Sequence, residues 1–478
     1  MLIDKLLSLE TEELLSFKFT EYNFLIWPFI RKYILENIYI KITNSSIPGV
    51  HREKLSLFEN ISYSYNTLKY NPFKYSNYPI VFLLTQIAVS LKKDGKYFNR
   101  LHDYFALEYP ESSLIIEKSE RRKYKLSRYF CNIAFDDYMF IKPLFKSMFI
   151  KPRTHDLINI KKFIECLNKQ FKDHLKVNDL KIIYNNLIKY TVLAPLLYKN
   201  YLELFKKLKP SIIILYAASR GREKVCIVKA AKDLHIKVTE FQHGAITKSH
   251  PIYNYSECIF KSLEYREYLP DYLLTWGEFW NSNMRHPSNK ITIGNPDFET
   301  KLEEYKSIKN HKLHTKKVIL IISQGTLTKT FVELTESLSK KIDNNKFKII
   351  YKLHPGEVPF KERYKKLYSL NNVEINKSDD IYNLLFYSDY VVGCYSTTIY
   401  EALGFKKPIF ILDNQWSREY IPEGIGYWFK SVDELCELVR QDNTRKTQAN
   451  EDIGYYWEMD WRKRYRDFIE NEIKLNKP

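Results

Sequence analysis

The apolar residues of this chain fall into short runs that alternate with amphipathic stretches. In the first half, short runs of β-type composition occupy 79–85, 112–117, 210–217, 236–242, 270–276 and 290–296. In the second half, helical patterns such as KTFVELTESLSKKI separate the runs KVILIIS, FKIIYKL, DYVVGC and KPIFIL. This alternation predicts βαβ units with parallel sheets. We therefore expect an α/β protein with two Rossmann-like domains.

The remaining segments complete the predicted domain organisation. Helical periodicity dominates 156–208, and the lysine-rich stretch 300–317 has no apolar pattern strong enough for a core. We expect a helical extension over 1–75, a first Rossmann-like domain with a helical insertion over 76–299, a linker over 300–317, a second Rossmann-like domain over 318–455 and a crossing helix over 456–478. Two such domains in tandem bind a ligand in the cleft between them.

Composition and charge narrow the class of protein. The 478 residues are 45% apolar and 15% aromatic, enough for two cores. The net charge of +18 comes mainly from lysine and favours anionic partners only where it clusters. No helix-turn-helix, zinc-finger or RNP pattern occurs, so we expect no nucleic-acid partner.

The cysteines and the apolar runs indicate the compartment. Six scattered cysteines form no CxxC pair, and the start MLIDKLLSLETEELL is not a signal peptide. No apolar run reaches the ~18 residues of a membrane span. We expect a cytoplasmic protein.

Three polar loops follow strands of the second predicted domain. They contribute Gly325 and Thr326 in SQGTL, His354 and Pro355 in HPGE, and Ser396, Thr397 and Thr398 at the start of a helix. The carboxyl ends of parallel strands face one crevice, and free N–H groups at a helix start attract an anion. Taken singly, each loop is explained as a helix cap or a turn. Together they predict a phosphate site.

The first predicted domain offers a candidate base and candidate cations. In TEFQHGAITKSH, Glu240 and His243 stand at a strand end, and an imidazole is suited to take a proton from a hydroxyl. The alternative is that His243 only caps a turn. In SRGREK, Arg220 and Arg222 are suited to hold a carboxylate of the acceptor or donor, although surface solvation explains them almost as well.

These motifs carry a resemblance to known families. The strand-terminal His354-Pro355, followed about forty residues later by Ser396-Thr397-Thr398, resembles the HP and S/T motifs of bacterial GT-B glycosyltransferases such as polysialyltransferases and capsule-type Kdo transferases. The QHG at 242–244 is similar to that of the CDP-glycerol glycerophosphotransferases of teichoic acid synthesis. The resemblance covers roughly 210–415. It implies a GT-B fold, in which an N-terminal acceptor domain and a C-terminal nucleotide-sugar domain face each other across a cleft, here with extra N-terminal helices.

The resemblance implies roles for single residues. His354 would contact the donor phosphate, Ser396, Thr397 and Thr398 the nucleotide, and Glu401 the ribose. The base stays open: His243 follows from the CDP-glycerol resemblance, Glu240 from its proximity, and Asp94 from the D/E-D/E-G motif of sialyl-type enzymes. KKDGK matches that motif only in part, because Lys93 stands at its first acidic position. No DxD pair lies in a suitable loop, so we expect no metal ion and no cofactor.

The implied function is a metal-independent glycosyltransferase. The donor would be a CMP-linked 2-keto acid sugar such as Kdo or a sialic-type sugar, and the acceptor a surface glycan or lipid-linked glycan of capsule, lipopolysaccharide or O-antigen. The alternatives are a UDP-sugar transferase, a CDP-polyol phosphotransferase, and a non-catalytic nucleotide- or glycan-binding protein.

The segment YMFIKPLFKSMFIKPR at 138–153 mixes large apolar residues with lysines. Such a mixture suits peripheral attachment to anionic lipid at the inner face of the plasma membrane. A buried helix whose lysines reach out to water is the interpretation that we slightly favour from the sequence.

Overall fold

The first domain is built on a seven-stranded parallel sheet. The computed structural model describes residues 2–42, 56–92, 94–308, 315–377, 380–441 and 453–473. The sheet has the order β5-β4-β1-β6-β7-β8-β9, and a small antiparallel hairpin, β2–β3, follows β1. The strands are β1 Ile80–Thr85, β2 Val89–Leu91, β3 Tyr97–Asn99, β4 Ser113–Lys118, β5 Ile133–Phe135, β6 Ile212–Tyr216, β7 Lys237–Phe241, β8 Tyr272–Thr275 and β9 Asn289–Thr292.

The second domain is built on a six-stranded parallel sheet of order β12-β11-β10-β13-β14-β15. Its strands are β10 Lys317–Ile322, β11 Phe347–Lys352, β12 Val373–Asn376, β13 Tyr390–Gly393, β14 Ile409–Leu412 and β15 Tyr427–Phe429. In both sheets the central strands are rich in β-branched residues and buried, as expected for strands covered on both faces.

Helices cover both faces of each sheet. Those before the second sheet are α1 Leu2–Leu7, α2 Glu12–Leu15, α3 Trp27–Ile42, α4 Leu57–Lys69, α5 Asp103–Glu108, α6 Asp137–Ser147, α7 Thr154–Gln170, α8 Val177–Leu208, α9 Lys224–Lys232, α10 Glu257–Lys261, α11 Leu263–Arg266, α12 Glu278–Ser282 and α13 Pro296–Lys306. Those that follow are α14 Thr328–Lys341, α15 Lys365–Tyr368, α16 Ile381–Tyr387, α17 Thr397–Gly404, α18 Gln415–Tyr420, α19 Val432–Arg440, α20 Ile453–Tyr456 and α21 Trp461–Glu472.

Helices from the first and last described parts of the chain pack on the first sheet. Phe29 of α3 belongs to the same buried cluster as Val81 and Leu83 of β1. Tyr465 and Phe468 of α21 lie in the cluster on the opposite face. The last helix therefore returns across the molecule to complete the first domain. None of the described helices combines the length and apolar character needed to cross a bilayer.

The carboxyl edges of the two sheets face each other. The loop after β7 touches the start of α17, which follows β13, because the Ala245 N–H donates to Thr397 Oγ1 at 3.2 Å. Two Rossmann-like sheets that meet in this way confirm the predicted α/β class and the GT-B arrangement.

The lysine-rich segment predicted as a linker is helical at its start. α13 runs from Pro296 to Lys306, and Phe298 and Leu302 are buried on one of its faces. Two apolar residues four positions apart suffice to dock a short helix, but they are too few to stand out as a periodic pattern. Residues 309–314 lie outside the described residues, and the domain boundaries stay predictions.

Candidate functional site

His354 opens the second of the three polar loops. It precedes a 3-10 helix, Pro355–Tyr364, and its Nδ1 accepts a hydrogen bond from the Gly356 N–H at 3.1 Å. Because Nδ1 is an acceptor, the neutral ring carries its proton on Nε2. Partial desolvation lowers the pKa of His354, and the charge of Arg100 adds to this while Glu357 opposes it. The imidazole of this exposed residue thus offers a donor at Nε2.

Glu357 ties two of the loops together. This buried carboxylate accepts hydrogen bonds from the His354 N–H at 3.1 Å and from the hydroxyls of Ser323 and Tyr364. Gly325 passes close to it, and a Cβ there would lie 3.4 Å from Glu357 Cγ. Glu357 is not among the residues predicted from the sequence. A glutamate three residues after a helix cap is a capping-box position, and that spacing was the available signal.

The third loop makes a hydrogen bond across the cleft. The Ser396 hydroxyl caps α17 by accepting from the Thr398 N–H at 3.2 Å, as the simpler interpretation of this motif expected. Thr397 instead accepts from Ala245 of the opposite domain at 3.2 Å. Thr326 of the first loop shares a hydrogen bond with the hydroxyl of Tyr395. The structure therefore brings the loops after β10 and β13 to one place.

Glu401 and Arg100 lie on opposite sides of this cleft. Glu401 is buried in α17, where the Tyr382 hydroxyl donates to its Oε1 at 3.3 Å. Burial raises the pKa of Glu401 to about 6, and the charge of Arg100 is the first of the effects that oppose the rise. Arg100 follows β3 and lies 3.9 Å from Asp297. Sequence reasoning missed Arg100, because nothing local places a short hairpin against the other domain.

His243 lies among cations at the end of β7. Its Nε2 is 3.3 Å from Nη2 of Arg220, and its ring contacts Tyr216 with a centroid separation of 4.7 Å. Burial lowers the pKa of His243 well below its usual range, and the charges of Arg220 and Lys224 lower it further. The imidazole is therefore neutral at pH 7, and its Nε2 accepts a hydrogen bond from Arg220, because a guanidinium only donates.

The two other candidate bases are differently placed. Glu240 is buried and accepts from the Ser219 N–H and hydroxyl at 2.8 and 2.5 Å and from the Tyr253 hydroxyl at 2.5 Å. Burial raises the pKa of Glu240. Asp94 lies exposed in the turn of the β2–β3 hairpin, where Tyr129 donates to its carboxylate and lowers its pKa. The structure thus brings Glu240, but not Asp94, close to His243.

The two arginines of SRGREK diverge. Arg220 points to His243, its Nε is buried without a hydrogen-bond partner, and no carboxylate pairs with it among the described residues. Arg222 is exposed and lies beside Glu223, with 3.8 Å between Nε and Oε2. Arg220 is therefore the arginine with unused binding capacity.

One group of side chains has the spacing of a metal site. His102, Asp103 and Glu117 are buried close together. The guanidinium of Arg128 binds Asp103 at 2.7 Å and Glu117 at 2.6 Å. Both carboxylates thus already have a cationic partner, Arg128, although Glu117 Oε1 and His102 Nδ1 are buried without a hydrogen-bond partner.

The match to a protein family concerns the second domain. Residues 324–453 match the family model of the CDP-glycerol:poly(glycerophosphate) glycerophosphotransferases. This segment includes His354, Ser396, Thr397, Thr398 and Glu401, but not the loop of His243. No curated protein sequence matches the chain.

Several solved structures are similar over most of the chain. The UDP-GlcNAc 2-epimerase of Methanocaldococcus jannaschii is 12% identical, with 82% of this chain and 99% of that chain covered and a TM-score of 0.46. The Neisseria meningitidis epimerase bound to UDP-GlcNAc is 14% identical, with 83% and 100% covered and a TM-score of 0.45. A Rickettsia africae glycosyltransferase is 16% identical, with 84% and 100% covered and a TM-score of 0.39. With TM-scores below 0.5, these structures carry no further argument. The segment 324–453 is similar to the CDP-glycerol glycerophosphotransferases, and this family match supports a transferase.

Proposed function

We propose that the protein is a transferase that moves a group from a nucleotide-activated donor to a hydroxyl of a surface-polymer acceptor. In this proposal the second domain binds the donor, with His354 on its phosphate, the loop of Gly325 and Thr326 and the hydroxyls of Ser396, Thr397 and Thr398 beside it, and Glu401 near the ribose. The first domain binds the acceptor. The reaction takes place on the cytoplasmic side of the membrane.

The hydrogen bond between Ala245 and Thr397 carries this proposal. It joins the loop of the candidate base to the helix start proposed to hold the nucleotide, although the two come from different domains. An acceptor hydroxyl beside His243 would then lie near a donor held by α17. Positioning of this kind is a large part of transferase catalysis.

The chemistry follows from the groups at the cleft. The acceptor oxygen forms its new bond to the donor while the bond between the transferred group and the nucleotide phosphate breaks. His243 takes the hydroxyl proton at Nε2, where the acceptor hydroxyl replaces Arg220, and the nucleotide leaves with the electron pair of the broken bond. His354 Nε2–H and the N-terminal N–H groups of α17 stabilise the charge on the leaving phosphate.

For the donor, the first candidate is a CMP-linked 2-keto acid sugar. Its carboxylate needs a cation near the transferred group, and Arg220, with its unpartnered Nε, is suited to that role. The second candidate is a CDP-polyol, whose polyol phosphate would be transferred. The family match over 324–453 favours this second donor.

Nucleotide binding separates the donors. In thermal-shift measurements with CMP, CDP, UDP and GDP, we expect one cytidine nucleotide to raise the Tm most. A ligand at about 100 times its Kd stabilises the folded state by about 2.7 kcal/mol. Preference for CMP supports the sugar donor, preference for CDP supports the polyol donor, and preference for UDP indicates a hexose-type donor. If none of the four nucleotides raised the Tm, the proposal would be overturned.

Substitution of His354 tests whether the protein is an enzyme or only a binding protein. His354→Asn keeps an acceptor for the Gly356 N–H but removes the Nε2 donor, whereas His354→Ala removes both. We expect transfer to fall by about 10²–10³-fold in each variant. The Tm should fall only in His354→Ala, since losing a helix cap costs about 1 kcal/mol. Full transfer by His354→Asn would show that the imidazole only caps its helix.

A further inference from the structure

The helix α4 is amphipathic in the inverse sense. Its polar side faces the protein: Tyr63 donates to Asp137 of α6 at 3.0 Å, and Thr67 shares a hydrogen bond with Tyr124 at 2.6 Å. Its apolar side faces water, with Leu57, Phe58, Ile61, Tyr65 and Leu68 all exposed, Leu57 by 79% and Phe58 by 80%. A surface helix of a soluble protein normally has the opposite orientation.

The neighbouring helix α6 extends this surface. Ile141, Leu144 and Phe145 on the helix and Met148, Phe149 and Ile150 just after it are exposed, Met148 by 78% and Phe149 by 74%. The rings of Phe145 and Phe149 contact each other with centroids 5.2 Å apart. The buried helix predicted for 138–153 is therefore wrong for these six side chains. We call the exposed apolar residues of α4 and of 141–150 the apolar patch.

Lysines lie within the same surface. Lys142, Lys146 and Lys151 are exposed, and none of them pairs with a carboxylate in the part of the chain that the structure describes. Arg153, in contrast, pairs with Glu21 at 2.9 Å. Protein interfaces are depleted of lysine at their centre. Large apolar side chains interspersed with lysines instead fit a lipid bilayer. The apolar side chains insert at the boundary of the acyl chains, and the lysines bind the lipid phosphates.

We propose that the apolar patch docks the protein on an anionic lipid bilayer. The side chains of α4 and 141–150 enter the headgroup region, while Lys142, Lys146 and Lys151 contact lipid phosphates. Insertion and charge together supply the two signals that stable peripheral attachment needs. Large contiguous apolar patches on the surface of soluble proteins mark interaction sites.

The patch lies next to the proposed acceptor side of the cleft. Phe140 of α6 lines a pocket of about 170 Å³ at the carboxyl edge of the first sheet, together with Tyr216 and Lys224. The Tyr216 ring in turn contacts His243. An acceptor anchored in the bilayer would enter from this side; this step rests on the proposed function, whereas the docking itself does not.

Vesicle co-sedimentation of the full chain tests the docking without any donor. We expect binding to phosphatidylcholine vesicles that contain phosphatidylglycerol, and weaker binding to phosphatidylcholine alone. The variant Phe58→Ser/Phe145→Ser/Phe149→Ser should bind at least about tenfold more weakly. Lys142→Gln/Lys146→Gln/Lys151→Gln should lose the preference for anionic lipid and its sensitivity to salt.

A matched control changes exposed apolar residues outside the patch. Leu263→Ser/Val177→Ser should bind as the unmodified protein does, and all variants should keep their Tm because the substituted side chains are exposed. Absence of vesicle binding by the unmodified protein, or equal binding by the serine variant of the patch, would overturn the proposal. Self-association through the patch without vesicle binding would overturn it as well and assign the surface to a second copy. Nucleotide binding can be measured in each of these cases. A failure of the proposed function is therefore distinguishable from a failure of the proposed membrane docking.

Discussion

His354 shows how a structural role and a proposed binding role can share one side chain. The helix cap uses Nδ1 and leaves Nε2 with its proton. The simple interpretation, a turn residue, and the binding interpretation are thus not exclusive, because the cap selects the tautomer that donates. Sequence reasoning could find this residue, since a histidine and proline after a buried strand are recognisable without any tertiary information.

Glu357 and Arg100 could not be found in the same way. The capping-box spacing marks Glu357 only as the partner of the His354 N–H, whereas its contact with Ser323 joins residues 34 positions apart. Arg100 lies at the cleft only because a short hairpin carries it towards the second domain. Local motifs predict residues whose role is set by their own strand end, and tertiary contacts decide the rest.

Glu401 gives the molecule a pH-dependent stability. Its pKa of about 6 in the folded protein lies above its ordinary value of 4.5, so the folded state binds the proton more tightly. Stability contributed by this proton is present below pH 4.5 and is lost as the pH rises through 6. We expect Glu401→Gln to be more stable than the unmodified protein by about 2 kcal/mol at pH 8, but by little at pH 4.5.

Chemical denaturation at the two pH values measures this difference. Glu303→Gln is the control, because Glu303 is exposed and its substitution should change stability equally little at both values. A loss of stability in Glu401→Gln at pH 8 would mean that the charged carboxylate makes favourable contacts in the folded state. The expected pH dependence would then be refuted.

At the scale of elements, the sequence predicts the buried strands but not which side of a surface helix is buried. The buried strands of both sheets follow from short apolar runs, because a strand covered on both faces has no polar side. α4 has an equally regular pattern, yet periodicity reveals only that a helix has an apolar side. It does not say which side faces the protein, and on α4 the apolar side faces outwards, as do Ile141, Leu144 and Phe145 of α6. The lysines in 138–153 were the only local hint.

At the scale of the molecule, the two domains are joined by more than the segment between their sheets. The chain leaves the second sheet after β15 and returns to the first domain through α21, whose Trp461, Tyr465 and Phe468 are buried there. The rings of Phe105 and Tyr465 have centroids 4.7 Å apart. The last described helix of the chain therefore completes a hydrophobic cluster of the first domain. The predicted bounds of the crossing helix, 456–478, stay a prediction.

Phe468→Ala should accordingly weaken the first domain rather than the second. Phe468 is buried, and its ring contacts that of Tyr272 at a centroid distance of 5.3 Å. Removing such a side chain costs about 3–5 kcal/mol. Hydrogen exchange measured by mass spectrometry should show this loss at the amides of β1, β6 and β8, with β10 and β13 unchanged. Lys463→Ala, an exposed position on the same helix, should leave both sheets protected. An equal loss of protection in both sheets would show instead that the two domains unfold as one unit. A loss confined to α21 would show that the first domain is stable without this helix.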